Sequence, residues 1–207
     1  MSYGTLRRAR HAAVPEHSGV EGNSRLTGLL ALVLLILLFL EGVTIPFIGS
    51  LLTPHVFIGM LMIPPVLYKI ASTSWRFLKY YSGDPRYRRK GPPVLVLRLL
   101  GPAVVVLTLV VIASGVGLVL LPRADRGLLL TLHQGSFVLW FGAMAIHVLG
   151  HLVETAKLAP LDWFARTRRQ VRGASARQWL VVSSLVFGLI AAVAVAPYAT
   201  GWFTQTF

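Results

Sequence analysis

The chain has 207 residues, of which 55% are hydrophobic and only 13% are charged, and it contains no cysteine. The absence of cysteine excludes disulfides, iron–sulfur ligation and cofactors attached through thioether bonds. A net charge of +13 would suggest nucleic acid as the partner of a soluble protein. The basic residues alternate between loops as they do in membrane proteins, so we expect no nucleic-acid binding.

Five long apolar stretches follow one another along the chain. They are Leu26–Ile48, His55–Ala71, Val94–Leu121, Leu128–Val153 and Trp179–Pro197. Most reach the ~20 residues that a helix needs to cross ~30 Å of hydrocarbon, and the second is near the lower limit. Backbone polar groups in lipid must be satisfied internally, so the stretches are expected to be helices. The predicted fold is therefore all-α, an integral membrane bundle of five transmembrane helices within residues 26–203.

The charge distribution predicts how this bundle is oriented in a cell membrane. Basic residues are concentrated in 1–25, around 73–98 and in 154–178, whereas only Arg123 and Arg126 lie in the opposite loops. Because basic loops stay on the cytoplasmic side, residues 1–25 are predicted to be a cytoplasmic tail and residues 204–207 an external tail. The basic loops are also expected to touch anionic lipid headgroups. Glu41, near the external end of helix 1, is expected either to pair with one of the two external arginines or to gate protons.

Proline positions predict where the first two helices meet and where the second one bends. A short external turn containing Thr53 and Pro54 is expected to join them, with Pro54 among the first helical residues, where its missing N–H costs nothing. Pro64 and Pro65 lie inside the second apolar stretch and are expected to kink it. The first stretch is too long for a cleaved signal peptide and lacks a small-residue cleavage site, so it is predicted to remain as helix 1.

Four histidines lie inside or at the ends of the predicted spans, where ionisable residues are costly and usually functional. His133 and His147 are fourteen residues apart, so both fall on one helix face, ~21 Å apart along the axis. That spacing suits two haem irons stacked across a bilayer, and imidazole is a suitable ligand for iron. His55 is predicted at the external level of His133, whereas His147 and His151 lie towards the cytoplasmic end. These residues predict transmembrane electron transfer, with His55 and His133 as ligands of an external haem.

The predicted inner level lacks a matching histidine on the second span. Fourteen residues after His55 stands Lys69, so an inner haem would need His147 or His151 with an unusual second ligand such as Lys69, or would be five-coordinate. Hydrogen bonding to backbone or lipid, or a role in a quinone or proton path, are alternatives for His147 and His151. Arg98 lies near this level, either as the partner of a haem propionate or as an arginine that snorkels to the interface.

Two glycines on the third span are also fourteen residues apart. The antiparallel arrangement predicts Gly115 near the level of His133 and Gly101 near that of His147. Glycine removes side-chain bulk where a flat macrocycle approaches a helix. Small residues also allow membrane helices to pack closely without any ligand, so both explanations stay open.

At these residues the chain resembles the membrane-embedded di-haem cytochrome b family, which includes the cytochrome b subunits of bacterial hydrogenases and formate dehydrogenases. It also looks like the haem domain of ferric reductases. The likeness covers roughly Pro54 to Glu154 and rests on His-Val-Phe-Ile-Gly at 55–59 and on the run from His133 to His151. It implies one or two non-covalent haem b groups, electron exchange with quinone, and a partner redox subunit at one membrane face, which we expect to be the external one.

The function expected from this resemblance is that of an electron-transfer subunit without catalytic residues of its own. No flavin- or NAD-binding domain follows helix 5, so a self-contained ferric reductase is not expected. A haem-free membrane scaffold, anchor subunit or small transporter is the alternative, but it leaves His55 and His133 at one level without a role. A zinc enzyme built on His147-x-x-x-His151 is a third class, although Glu154 is the only carboxylate nearby.

Overall fold

The computed structural model describes residues 18–89, 91, 95–122 and 126–204, with the side chains of residues 18 and 200–204 outside that description. All regular elements in these ranges are helical. They are α1 (Ser18–Thr44), a 3₁₀ helix (Ile45–Phe47), α2 (Ile48–Tyr81), α3 (Pro85–Arg89), α4 (Leu95–Leu120), α5 (Arg126–Leu158), a second 3₁₀ helix (Ala159–Asp162), α6 (Ala165–Arg168) and α7 (Ala174–Thr204). The predicted all-α class is confirmed for the described residues.

By length and apolar composition, four helical stretches in the described ranges can cross a membrane. They are Gly19–Tyr81, Leu95–Leu120, Arg126–Asp162 and Ala174–Ala199. The first stretch has 63 residues, far more than the ~20 that one crossing needs, and it contains both α1 and α2. The prediction of several apolar helices of membrane-crossing length is confirmed in this form.

α1 and α2 run antiparallel to each other. At one end of the pair, Thr44 Oγ1 and His55 Nδ1 are 2.9 Å apart. At the other end, the hydroxyl oxygens of Thr27 and Ser72 are 3.0 Å apart. The chain reverses in the 3₁₀ helix that follows α1 and at Leu51, whose φ of −110° and ψ of 20° are not helical. We call the end of the bundle with this reversal the turn end and the opposite end the Lys69 end.

The reversal lies two residues before the predicted turn, at Leu51, where two helical segments meet at a kink. Thr53 and Pro54 are helical and lie in the first turn after Leu51. Pro54 is therefore among the first helical residues after the reversal, as predicted. A proline in a first helical turn loses no hydrogen bond, because the N–H at that position has no helical acceptor.

Pro64 and Pro65 lie inside α2 at positions where the backbone angles stay helical, and the kink there stays a prediction. The alternative expectation was a break in the hydrogen-bond ladder of the helix. Because proline has no N–H, Pro65 leaves the Leu61 carbonyl without its usual helical donor. That carbonyl lies directly against Gly188 of α7, where an added Cβ would overlap it. α7 thus packs closely against the turn of α2 that the prolines weaken. Small residues such as Gly188 allow this close packing in membrane bundles.

A buried ion-pair network joins three elements at the Lys69 end. Asp162 is 0% exposed and accepts hydrogen bonds from Arg25 of α1 at 3.3 Å and from Arg177 of α7 at 2.5 and 2.8 Å. Arg25 also donates to the Thr167 carbonyl oxygen at 2.9 Å. Such charge-assisted bonds satisfy groups that would be very costly to bury alone.

The predicted cytoplasmic tail, residues 1–25, overlaps the first helix. The described part of α1 starts at Ser18, so residues 18–25 of the predicted tail are helical. Arg25 is anchored on Asp162 and is only 3% exposed. The remaining residues of the two predicted tails, 1–17 and 205–207, lie outside the described residues.

Candidate cofactor site

A large, mostly apolar cavity of about 1240 Å³ lies between α1, α2, α4 and α5. Ligand pockets usually measure ~300–1,000 Å³, so this space exceeds an ordinary small-molecule site. The predicted site residues that line it are His55, His133, His147, His151, Lys69, Arg98, Gly101 and Gly115. The structure therefore brings every predicted site residue to the wall of one cavity.

His55 of α2 and His133 of α5 approach each other in the turn-end half of the cavity. Their ring centres are 6.4 Å apart, and their ring planes are nearly perpendicular, at 86°. An imidazole nitrogen that binds a transition metal lies about 2.1 Å from the metal. The same nitrogen lies about 1.2 Å from the centre of its own ring, whose bonds are roughly 1.3–1.4 Å long. Two imidazoles on opposite sides of one metal atom therefore have ring centres about 6.5 Å apart. The observed separation agrees with that value.

The hydrogen bonds of His55 are made through Nδ1. This atom is 2.9 Å from Thr44 Oγ1 and 3.1 Å from Glu41 Oε1. The Thr44 hydroxyl donates its own proton to the backbone carbonyl of Glu41 at 2.6 Å, so it accepts at His55. The proton of a neutral His55 consequently lies on Nδ1. Nε2, which makes no hydrogen bond with the described residues, has its lone pair free.

His133 is held in the same way on the opposite side of the cavity. Its Nδ1 is 3.0 Å from the Val111 carbonyl oxygen and 3.2 Å from Ser114 Oγ. A carbonyl oxygen only accepts, so Nδ1 carries the proton here too. Gly115 provides space for the ring, because a Cβ at that position would lie 3.0 Å from His133 Cε1. Both rings therefore keep a proton-free Nε2, the form that binds metals.

The chemistry of this pair differs from that of a site for a free metal ion. Among the described residues, no group of three or more His, Cys, Asp or Glu side chains could hold such an ion. A haem iron takes only its axial ligands from the protein. Two proton-free imidazoles from different helices form a donor set of that kind.

The second pair of histidines, at the Lys69 end, has a different geometry. The ring centres of His147 and His151 are 4.8 Å apart, and both rings come from one side of α5, one turn apart. Side chains on one helix face cannot bind opposite sides of the same metal atom. His147 Nδ1 is buried and makes no hydrogen bond with the described residues, whereas His151 Nδ1 is 3.5 Å from Glu154 Oε2.

The other predicted residues of this end have contacts of their own. Lys69 Nζ donates a hydrogen bond to the Thr27 carbonyl oxygen of α1 at 3.0 Å. Arg98 Nε donates to Tyr81 Oη at 2.6 Å, and the guanidinium lies 5.2 Å from the centre of the same ring. Gly101 borders open space, because a Cβ there would meet nothing within 4 Å. Facing histidines thus occur at the turn-end level and not, among the described residues, at the Lys69 level.

Sequence analysis did not find the groups that orient the two histidines. Thr44 and Glu41 lie three residues apart on α1, so they share one side of that helix, and Ser114 precedes the predicted Gly115. The position of Glu41 near the level of His55 was the available signal for the contact between them. Ser114 and the Val111 carbonyl carry no such signal, since hydroxyls and carbonyls occur throughout membrane helices.

The expected partners of Glu41 were the two arginines of the turn-end loop. Glu41 Oε1 instead contacts His55. Arg126 Nε donates to the Leu121 carbonyl oxygen at 3.0 Å, and Arg123 lies outside the described residues. The carboxyl of Glu41 therefore belongs to the histidine pair.

Comparisons with models of known protein families, with curated proteins and with solved structures find no match to this chain. A functional assignment has to be argued from the residues of the cavity alone.

Proposed function

We propose that this chain is a membrane-embedded b-type cytochrome subunit that binds haem non-covalently and passes electrons between membrane quinone and a partner oxidoreductase. The observation that carries the proposal is the pair His55 and His133, with ring centres 6.4 Å apart and both Nδ1 atoms bound to protein acceptors. Two helices thereby bring two imidazole rings to the ring-centre separation that two ligands of one metal atom would have.

The surroundings of the pair fit a flat, apolar cofactor. The cavity of about 1240 Å³ is walled mainly by aliphatic side chains, and Gly115 removes bulk beside the His133 ring. Metal-binding histidines usually donate their second N–H to a carboxylate or a backbone carbonyl. Here His55 donates to Glu41 and His133 donates to the Val111 carbonyl.

A bound haem would supply a one-electron change at its iron, and the protein would supply position and environment. His55 and His133 would hold the haem iron, and two protein ligands favour electron transfer over the binding of a substrate at the metal. The apolar walls exclude water, and the two Nδ1–H bonds hold each ring in one tautomer and orientation.

The proposal requires one haem, at the turn end. A second haem near His147 and Gly101 stays a prediction from the sequence. It is favoured by the buried Nδ1 of His147, which has no hydrogen-bond partner among the described residues, and by the open space beside Gly101. The bond from Lys69 Nζ to the Thr27 carbonyl disfavours Lys69 as its second ligand.

The proposal includes five membrane crossings, with the N-terminus in the cytoplasm and the C-terminus outside. α1 has 27 residues and α2 has 34, so each is long enough to cross on its own. Their antiparallel contacts support counting them as two crossings. The basic residues near the Lys69 end support a cytoplasmic location for that end. The turn end, with the shallower histidine level, would then face a partner redox subunit outside the membrane.

Visible absorption of the purified protein tests the proposal. Protein expressed with ample haem and then reduced should show the sharp bands of low-spin, bis-imidazole haem. His55→Ala and His133→Ala should each abolish these bands or convert them to a high-spin spectrum, because each variant removes one axial ligand. His17→Ala, which changes a histidine before α1, is the control and should leave the spectrum unchanged.

Two results would contradict the proposal in different ways. Wild-type protein that is helical but shows no Soret absorption would exclude haem binding and favour a haem-free scaffold or transporter. Loss of all haem in His147→Ala, with an unchanged spectrum in His55→Ala, would move the haem to the other level of the cavity.

A further inference from the structure

We infer that Glu41 is a positioning residue for His55: the side-chain carboxyl of Glu41 accepts a hydrogen bond from His55 Nδ1–H, orients the ring and thereby tunes the reduction potential of an iron bound at Nε2. This inference rests on the proposed function and adds a residue that sets the potential of the site.

The contacts of Glu41 and Thr44 determine the direction of the hydrogen bond. Glu41 Oε1 is 3.1 Å from His55 Nδ1. Thr44, which donates its proton to the Glu41 carbonyl at 2.6 Å, is a second acceptor at 2.9 Å from the same nitrogen. One turn of α1 therefore presents two acceptors to one N–H, and the ring is held with Nε2 proton-free.

The burial of Glu41 shows that its carboxyl is not a surface group. Its side chain is 14% exposed and that of His55 is 21% exposed. Glu41 Oε2 is buried and makes no hydrogen bond with the described residues. A polar group in an apolar span is costly and is retained where it has a function. Within the part of the chain that the structure describes, the side-chain partner of this carboxyl is the Nδ1 atom of His55.

The two facing histidines are oriented by acceptors of different chemistry. His133 donates to the backbone carbonyl of Val111 and lies beside the hydroxyl of Ser114, whereas His55 donates to a side-chain carboxyl and lies beside the hydroxyl of Thr44. The acceptor on Nδ1 changes how strongly an imidazole donates electrons through Nε2, so replacing that acceptor changes the potential of the iron. Substitution of Glu41 should act on the iron through His55 alone.

Redox titration of the haem-loaded protein, followed by its absorption bands, tests this role. Glu41→Gln keeps the length of the side chain and an acceptor oxygen, so haem content and low-spin bands should persist while the midpoint potential shifts. Glu41→Ala should in addition lower the haem-to-protein ratio, because nothing on that side holds the ring except Thr44. Asp84→Asn, which removes a carboxyl that is bound to Arg86 and does not line the cavity, is the matched control and should behave as wild type.

The outcomes separate this inference from the proposed function. An unchanged potential in both Glu41→Gln and Glu41→Ala, with full haem content, would overturn the role of Glu41 and leave haem binding intact. Wild-type protein without haem would instead overturn the proposed function. If Glu41→Gln does not fold, Glu41→Asp takes its place: a shifted potential supports the role, and the wild-type potential contradicts it.

Discussion

At the scale of single residues, the facing histidines differ from the other two in what their Nδ1 atoms contact. His55 and His133 each donate to acceptors on a neighbouring helix, α1 or α4. His147 Nδ1 is buried and makes no hydrogen bond with the residues that the structure describes, and His151 contacts Glu154 on its own helix. Because a second hydrogen bond selects the tautomer that a metal binds, the surroundings of the first pair fix the tautomer in which Nε2 carries no proton.

Gly115→Ala should disturb the His133 ring. The added Cβ would lie 3.0 Å from His133 Cε1, so either the ring or α4 must shift by a few tenths of an ångström. We expect a lower haem-to-protein ratio or altered low-spin bands in protein that is still helical. Gly135→Ala on α5 is the control, since its Cβ would meet nothing within 4 Å. Identical spectra for both variants would mean that the ring tolerates the shift and that Gly115 has no part in the site.

At the scale of helices, α2 carries two prolines in its middle, keeps helical backbone angles there and lies against α7. The carbonyl of Leu61, which Pro65 deprives of a donor, is in contact with Gly188. Backbone contacts of this kind replace part of the lost helical hydrogen bond. The same helix supplies His55 and Lys69 on either side of the prolines, so its continuity determines the distance between the two levels of the cavity.

Gly188→Ala should destabilise the bundle by roughly 1–3 kcal/mol, the usual cost of overpacking a well-filled contact. The added Cβ would overlap the Leu61 carbonyl of α2, which is backbone and cannot move unless the helix moves. The cost of this overlap outweighs the gain in helix propensity from Gly to Ala. Thermal unfolding in detergent, followed by circular dichroism, measures the effect. Gly142→Ala, whose Cβ would meet nothing within 4 Å, should be neutral or slightly stabilising. Equal stability of the two variants would contradict the tight α2–α7 contact.

At the scale of the whole molecule, hydropathy predicts the apolar helices but not where they begin and end. The second stretch was predicted to end at Ala71, yet α2 continues to Tyr81, because hydropathy reports contact with lipid while a helix continues wherever its backbone bonds can form. The fourteen-residue spacing of His133 and His147 pointed to the site, and interpreting it requires only the periodicity of a helix. The Nδ1 partners Glu41 and Val111 depend on side-chain rotamers and helix contacts, which periodicity does not contain.

The charge pattern likewise predicted an orientation but not the structural use of the charges. Arg25 and Arg177 were counted among the basic residues of the cytoplasmic side. In the structure they are 3% and 7% exposed and bind Asp162. Two of these cations thus connect α1 and α7 to the segment after α5, in addition to any contribution to topology.

The absence of cysteine from the chain makes the proposed topology testable with single introduced cysteines. Gly49 and Gly127 lie at the turn end and Ser82 follows α2 at the Lys69 end, and all three positions are exposed. Five crossings with a cytoplasmic N-terminus predict that a membrane-impermeant thiol reagent labels Gly49→Cys and Gly127→Cys in intact cells. Ser82→Cys should react only after the membrane is permeabilised. If Gly49→Cys is protected in cells where Gly127→Cys reacts, α1 and α2 do not cross the membrane separately. If Ser82→Cys reacts in intact cells and the two glycine variants do not, the five crossings remain and the orientation is reversed.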